Sequence, residues 1–302
     1  MARQKLSVRR RVVRGFIALD LLALAMIVIW GGGLVNFGEQ FFYVPVRERA
    51  PIRAGYEDVW FETPTGVRLH GWFIRASDAA PGEVRPTVVH VHGNAGHVGM
   101  HDSYSAYLRD QGVHVLVFDY RGYGESDDLR PTRAGLLEDT RAALAYLHTR
   151  PDVDGGRIGV FGHSLGVAFA IPAASEDPGV RSVALLSGFS SWRSEAGDLA
   201  PVLGYVLVRP GLDAVKTIGA LGDRPVLIVH GDADEIVNVR HARRIAEAAE
   251  KAGVRARLVI IPGGDHNEII DRHPEAQRAI SEFFRETLVE GRGTDDGDEP
   301  QP

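Results

Sequence analysis

Gly162-His163-Ser164-Leu165-Gly166 joins a short apolar run at 157–161 to an Ala-rich segment. A G-x-S-x-G pentapeptide between a strand and a helix is the pattern of a nucleophile elbow. The turn is so tight that side chains at its flanks would collide with the strand and helix, so both flanks need glycine while the serine is pushed outward. A serine hydroxyl is inert near neutral pH until a base removes its proton as it attacks. Ser164 therefore calls for an imidazole and for a carboxylate to orient that imidazole. Two segments offer them. His230-Gly231-Asp232-Ala233-Asp234 follows an apolar run at 225–229, and Pro262-Gly263-Gly264-Asp265-His266 follows one at 256–261. A third, His92-Gly93-Asn94-Ala95-Gly96, closes a run at 87–91. Each chemical residue lies just beyond the C-terminal end of a strand-like run, where open parallel sheets gather their sites.

His266 is the preferred base among twelve histidines, because the glycines before it let its loop bend back over the sheet. His163 and His230 are alternatives, but each is tied to the turn of another motif. Attack on an acyl carbon puts negative charge on the former carbonyl oxygen, which backbone donors must already face. The amide of Leu165, next to the serine, is one candidate. The amide of Asn94 is the other, in a loop where Gly93, Ala95 and Gly96 allow close approach. A competing chemistry is metal-dependent hydrolysis, since His90, His92, His97 and His101 include an H-x-H pair. The acidic ligands of a dinuclear site are missing nearby except for Asp102. The expectation is therefore no metal and no cofactor.

These motifs, together with Asp119-Tyr120-Arg121-Gly122-Tyr123-Gly124-Glu125-Ser126 and Gly264-Asp265-His266-Asn267, resemble over residues 41–288 an α/β-hydrolase. The similarity is to membrane-anchored serine hydrolases that include depalmitoylating thioesterases and monoacylglycerol-lipase-like members. The order Ser, then Asp, then His is that of the family's triad. The resemblance also favours Asp234 over Asp232, because H-G-x-x-D followed by an apolar residue three on is the family's pattern. Asp265 is expected to be a loop-turn residue. The resemblance implies a mostly parallel central sheet flanked by helices, with a short cap. One departure is Val167, where relatives often carry another small residue; it bears on helix packing, not on chemistry.

The elements that must position these groups can be read from periodicity. Residues 56–61 and 67–74, separated by Thr63-Pro64-Thr65-Gly66, form a hairpin pattern. Runs at 87–91, 113–119, 157–161, 180–186, 225–229 and 256–261 are apolar on both faces, as in a parallel sheet covered by helices. Helical patterns fall around 102–111, 133–148, 165–175, 239–252 and 274–287. Asp102 and Thr132 suit N-caps, and His273-Pro274 offers a first-turn proline. Pro172 predicts a kink or early end in the helix after the elbow. Residues 187–223, broken by Pro201, Gly204, Pro210 and Gly211, leave room for a small cap of one or two short helices.

At 302 residues, 44% apolar and 25% charged, the chain fits one catalytic domain, assigned to 37–290, plus terminal appendages. Residues 15–36 are mostly apolar, interrupted by Asp20; as a helix they cover about 33 Å, enough for a hydrocarbon layer of roughly 30 Å. Asp20 lies in the second turn, within reach of the headgroups. Before them, residues 1–14 carry Arg3, Lys5, Arg9, Arg10, Arg11 and Arg14 and no acid. By the positive-inside rule that leader is cytoplasmic and the domain extracytoplasmic. An uncleaved signal anchor is favoured over a cleaved signal peptide, whose small-x-small signal, Ala23-Leu24-Ala25, would be buried mid-run. Phe37, Phe41, Phe42 and Tyr43 then form an interfacial aromatic belt, or simply pack on the domain. Taking away the six basic leader residues moves the formal balance from −6 to −12, which disfavours a nucleic-acid partner. The lack of cysteine excludes a thiol nucleophile and disulfides. Residues 291–302 read as a disordered acidic tail.

The expected activity is that of a single-pass membrane serine hydrolase, cleaving carboxylic esters or thioesters through an acyl-enzyme on Ser164. The same machinery would cut amides if the leaving nitrogen is protonated. A non-catalytic binding protein is the remaining alternative.

Overall fold

The computed structural model describes residues 39–293 except 41, 201–203, 205 and 206. The leader at 1–14, the anchor at 15–36, Phe37, Phe41 and the tail beyond 293 lie outside the described residues. None of the described helices is long and apolar enough to cross a membrane. Glu290–Gly293 form a 3-10 turn, so regular structure runs past the expected start of the tail at 291.

Eight strands make one sheet: β1 (Tyr56–Glu62), β2 (Arg68–Ile74), β3 (Arg85–Val91), β4 (His114–Phe118), β5 (Val153–His163), β6 (Val180–Leu186), β7 (Val226–Gly231) and β8 (Ala256–Ile261). Their order across the sheet is β1-β2-β4-β3-β5-β6-β7-β8. Only β2 runs against its neighbours; the pairs from β4 to β8 are all parallel. Side chains alternate along each strand, so Val89, Val160, Val183 and Ile228 enter one core while Val88, Phe161, Ala184 and Leu227 enter the other. Both faces are covered, which is why the inner strands are mostly apolar. Helices α1 (Arg133–Thr149), α2 (Val167–Glu176) and α4 (Arg240–Lys251) cover the first face, and α5 (Pro274–Phe284) the second. The cap between β6 and β7 holds α3 (Trp192–Leu199) and a one-turn helix, Ala214–Thr217.

Two local expectations need correction. The helix expected at 102–111 begins instead at Val98 and breaks into 3-10 turns. His97, not Asp102, caps it, accepting from Gly99 N. Asp102 is turned inward, where Arg53 Nη2 donates to its Oδ1 at 2.9 Å and the Tyr56 hydroxyl to its Oδ2 at 3.3 Å. The helix after the elbow runs through Pro172 to Glu176 and does not end early. Elsewhere the start signals are used as read: Thr132 accepts from Gly135 N at 3.1 Å, and Pro274 opens α5.

Candidate active site

β5 ends at His163, one 3-10 turn follows at Ser164–Gly166, and α2 starts at Val167. Ser164 has φ of +51°, a left-handed conformation that costs a non-glycine residue energy and persists where its surroundings enforce it. The flanking glycines are required. A Cβ on Gly166 would sit 1.9 Å from the Val91 carbonyl oxygen, and one on Gly162 2.8 Å from Ala170 Cβ. The valine that departs from the family's small residue is accommodated from across the chain. Val167 is fully buried against Gly188, where a Cβ would come within 2.4 Å of its Cγ2.

The loops after β7 and β8 are tied together backbone to backbone. Asp232 N donates to Ile261 O at 3.1 Å, Ala233 N to Gly264 O at 3.0 Å, and Gly263 N to the Asp232 carboxylate at 2.7 Å. Asp232 thus staples the loops, while Asp234 points inward. Its Oδ1 accepts from Ile236 N at 2.9 Å and Val237 N at 2.8 Å, and its Oδ2 lies 2.7 Å from His266 Nδ1. A carboxylate can only accept, so the His266 proton sits on Nδ1 and Nε2 is left as an acceptor. The Ser164 hydroxyl is 3.0 Å from that Nε2. Burial alone would raise the Asp234 pKa, but hydrogen bonds from His230 and His266 and the Val237 amide outweigh it and hold the carboxyl well below the usual range. Asp265 accepts from Glu268 N at 2.6 Å, a loop-turn role.

The Gly93–Asn94 stretch lies beside the serine: a Cβ on Gly93 would be 3.2 Å from Ser164 Cβ. His92 holds that loop, its Nδ1 donating to Gly93 O at 2.7 Å. Leu165 follows Ser164 in the same turn. A groove lined by Glu235, Ile236, Asn267 and Glu268 opens next to His266.

The four clustered histidines do not converge on one point. His90 Nδ1 pairs with the Ser105 hydroxyl, His92 Nδ1 with Gly93 O, and His101 Nε2 with Ala95 O, while His97 Nδ1 accepts from Gly99 N. Glu195, Asp198 and His241 do bring ligand atoms within 4.8 Å of one another. However, His241 Nδ1 accepts from Ser190 N at 3.0 Å, so the ring proton is on Nε2, which donates to Asp198 at 3.1 Å. A cation on Nε2 would force that proton onto Nδ1, against the Ser190 N–H. Asp198 and His241 form a hydrogen-bonded junction between cap and α4, with the Glu195 carboxyl 3.3 Å from the same Nε2. Arg121, in the motif after β4, is held by Asp139 and Glu138.

Several contacts were not visible in the motifs. His230 Nε2 donates to Val237 O at 2.7 Å and lies 3.2 Å from Asp234 Oδ2. Phe42 and Tyr43 pack on the cap, with ring centroids 5.1 Å and 6.3 Å from Trp192, rather than standing free as a belt.

Residues 82–211 match a family described as serine aminopeptidase, S33, and residues 208–296 one described as TAP-like protein. The chain is 33% identical over 247 residues to the uncharacterised protein YfhR of Escherichia coli O157:H7, covering 81% of this chain and 84% of that one. It is 32% identical over 257 residues to the α/β hydrolase domain-containing protein WAV2 of Arabidopsis thaliana, covering 77% and 82%. This chain belongs to the α/β-hydrolase family. The fold agrees: an esterase of Pyrococcus furiosus, Pf2001, superposes with a TM-score of 0.65 at 21% identity, over 82% of this α/β-hydrolase and 99% of the esterase.

Proposed function

We propose that this α/β-hydrolase is a serine hydrolase that cleaves carboxylic ester or thioester bonds through an acyl-enzyme on Ser164. The observation that carries this reading is the continuous line Asp234 Oδ2, His266, Ser164 Oγ, with contacts of 2.7 Å and 3.0 Å. His266 Nε2 takes the hydroxyl proton as Oγ attacks the acyl carbon, then delivers it to the leaving oxygen or sulfur. Asp234 holds the imidazole in the productive tautomer and stabilises the imidazolium. The amides of Leu165 and Asn94 receive the charge on the tetrahedral intermediate. Water activated by His266 releases the acid. The chemistry asks for no cofactor.

The strained φ of Ser164 supports the assignment, since a surface turn serine has no need of it. Amide cleavage is the second reading, favoured by the match to the serine aminopeptidase family. The basic leader and apolar run at 15–36 support a bilayer anchor, with the domain on the outer face. A fluorophosphonate probe is expected to label wild-type protein and not Ser164→Ala; labelling that survives the substitution overturns the reading. Parallel turnover of p-nitrophenyl esters, acyl thioesters and aminoacyl p-nitroanilides separates ester, thioester and amide cleavage. Protease protection of oriented vesicles tests the topology.

A further inference from the structure

We infer that residues 43–47, which lead into the domain, are a strap that sets the oxyanion loop, with the Val44 amide and the Asn94 side chain as its positioning pair. The inference rests on the serine-hydrolase reading and deepens it. Val44 N donates to Asn94 Oδ1 at 2.8 Å, and the Tyr123 hydroxyl donates to the same oxygen at 3.1 Å. One residue on, Pro45 forms an isolated parallel bridge with Gly96. Beyond it, Gly124 N donates to Val46 O at 2.9 Å and Arg47 Nη1 to Ser126 O at 2.8 Å, fixing the strap to the loop after β4. Upstream, the segment is clamped to the cap through Phe42 on Trp192, and Glu39 accepts from Arg133 N at 3.1 Å at the start of α1.

The loop under the strap needs such support. Ala95 and Gly96 are both in the left-handed region, at φ of +61° and +80°, and Ala95 gains nothing intrinsic from being there. The Gly93–Asn94 peptide abuts Ser164, so a small rotation there re-aims the Asn94 N–H at the position where charge develops. Gripping Asn94 Oδ1 from two directions restrains that rotation. Val44 is 51% exposed, so what this residue contributes to the loop is its amide. Because the strap follows the apolar segment at 15–36 in sequence, the geometry of the oxyanion loop depends on the stretch that joins that segment to the domain.

The test uses the full chain in detergent micelles and a soluble p-nitrophenyl ester, with kcat and KM measured separately. Val44→Pro deletes the donor; position 44 already precedes a proline and so favours extended backbone. It should lower kcat roughly ten-fold while KM stays within about two-fold, since the interaction acts on the transition state. Val44→Ala, which keeps the amide, should recover that rate. Asn94→Ala keeps its own N–H but loses the acceptor, and should show the same loss. The double variant should fall no further than either single one. Unchanged kcat in Val44→Pro, an equal loss in Val44→Ala, or losses that multiply in the double variant overturn the strap. If Val44→Pro does not fold, Asn94→Ala decides alone, and unchanged kcat there overturns it. Turnover that persists in Ser164→Ala would instead sink the serine-hydrolase reading and leave the strap without a reaction to serve.

Discussion

Glu195, on the cap helix α3, is a buried carboxyl whose cost to the fold can be worked out. It is 5% exposed, and its Oε2 lies 3.3 Å from the His241 Nε2. Burial first, and then the negative charge of Asp234, push its pKa from 4.5 up to about 7. The folded state therefore holds this proton more tightly than the unfolded chain does. Its contribution is most favourable below pH 4.5, falls as pH rises towards about 7, and is level above that. At about 1.4 kcal/mol per pH unit, ionising Glu195 costs about 3 kcal/mol at pH 8 and under about 1 kcal/mol at pH 5. Glu195→Gln keeps the shape and cannot ionise. The variant should melt above the wild type by about 6 to 12 °C at pH 8, and by no more than about 4 °C at pH 5. His241, lowered to about 4 by burial and by Arg240 and Arg244, makes stability fall as pH drops from 6.5. It does so in both proteins, so the informative quantity is the difference between their melts. A gap that is the same at both pH values, or larger at pH 5, refutes the reasoning.

Asp234→Asn keeps the oxygen that accepts from Ile236 and Val237, but sets an amide N–H against the N–H groups of His266 and His230. Ester kcat should drop roughly 10⁴-fold, as read by initial rates, and the melting temperature should fall at neutral pH, because the lowered carboxyl pKa marks a charge that stabilises the fold. Gly166→Ala places a methyl against the Val91 carbonyl and should cost about 3 kcal/mol, seen as a lower urea midpoint with loss of probe labelling. Asp152, buried beneath Arg150 and Arg75, has its pKa lowered to about 2 by their hydrogen bonds despite burial, which acts to raise it. That stability is present above pH 3.8 and lost as pH falls through about 2, so Asp152→Asn should cost about 2 kcal/mol at neutral pH and progressively less at low pH in urea titrations.

What the sequence disclosed, and what it hid, divides by range. β6 begins and ends where its apolar run does, because a strand covered on both faces carries a continuous signal, and so does β8, a half-buried edge strand whose run is still mostly apolar. β5 starts four residues earlier than its apolar run at 157, since Val153 pairs with Arg85 through a stretch containing Gly155 and Gly156 that has no strand pattern. The break-up of the helix at 102–111 depends on Arg53 and Tyr56, about fifty residues earlier, drawing the Asp102 carboxylate away from a cap. Val167 was out of pattern only while its partner, Gly188, was unknown. The Ser, Asp and His motifs were legible because each sits in its own local turn. The amide of Val44 was not, since a backbone donor reaching across fifty residues leaves no residue-type signature.

The electrostatics of the site explain how so buried a carboxylate stays charged without a cation. Asp234 draws its stabilisation from N–H groups: two amides, the His266 ring and the His230 ring. Around the serine, His90, His92, His101 and His163 are each kept from charging, chiefly by burial. His163 stacks on Tyr104, at 4.2 Å, and lies tilted beside His266, at 5.7 Å, so a charge on it would stand against the imidazolium of the proposed reaction. Held neutral, these rings instead supply flat, polarisable walls. In the proposed reaction, the positive charge that develops on His266 then faces one fixed anion and no competing cation among them. Burial, which penalises charge everywhere else in this pocket, concentrates the field of Asp234 on the one ring that the proposed mechanism charges.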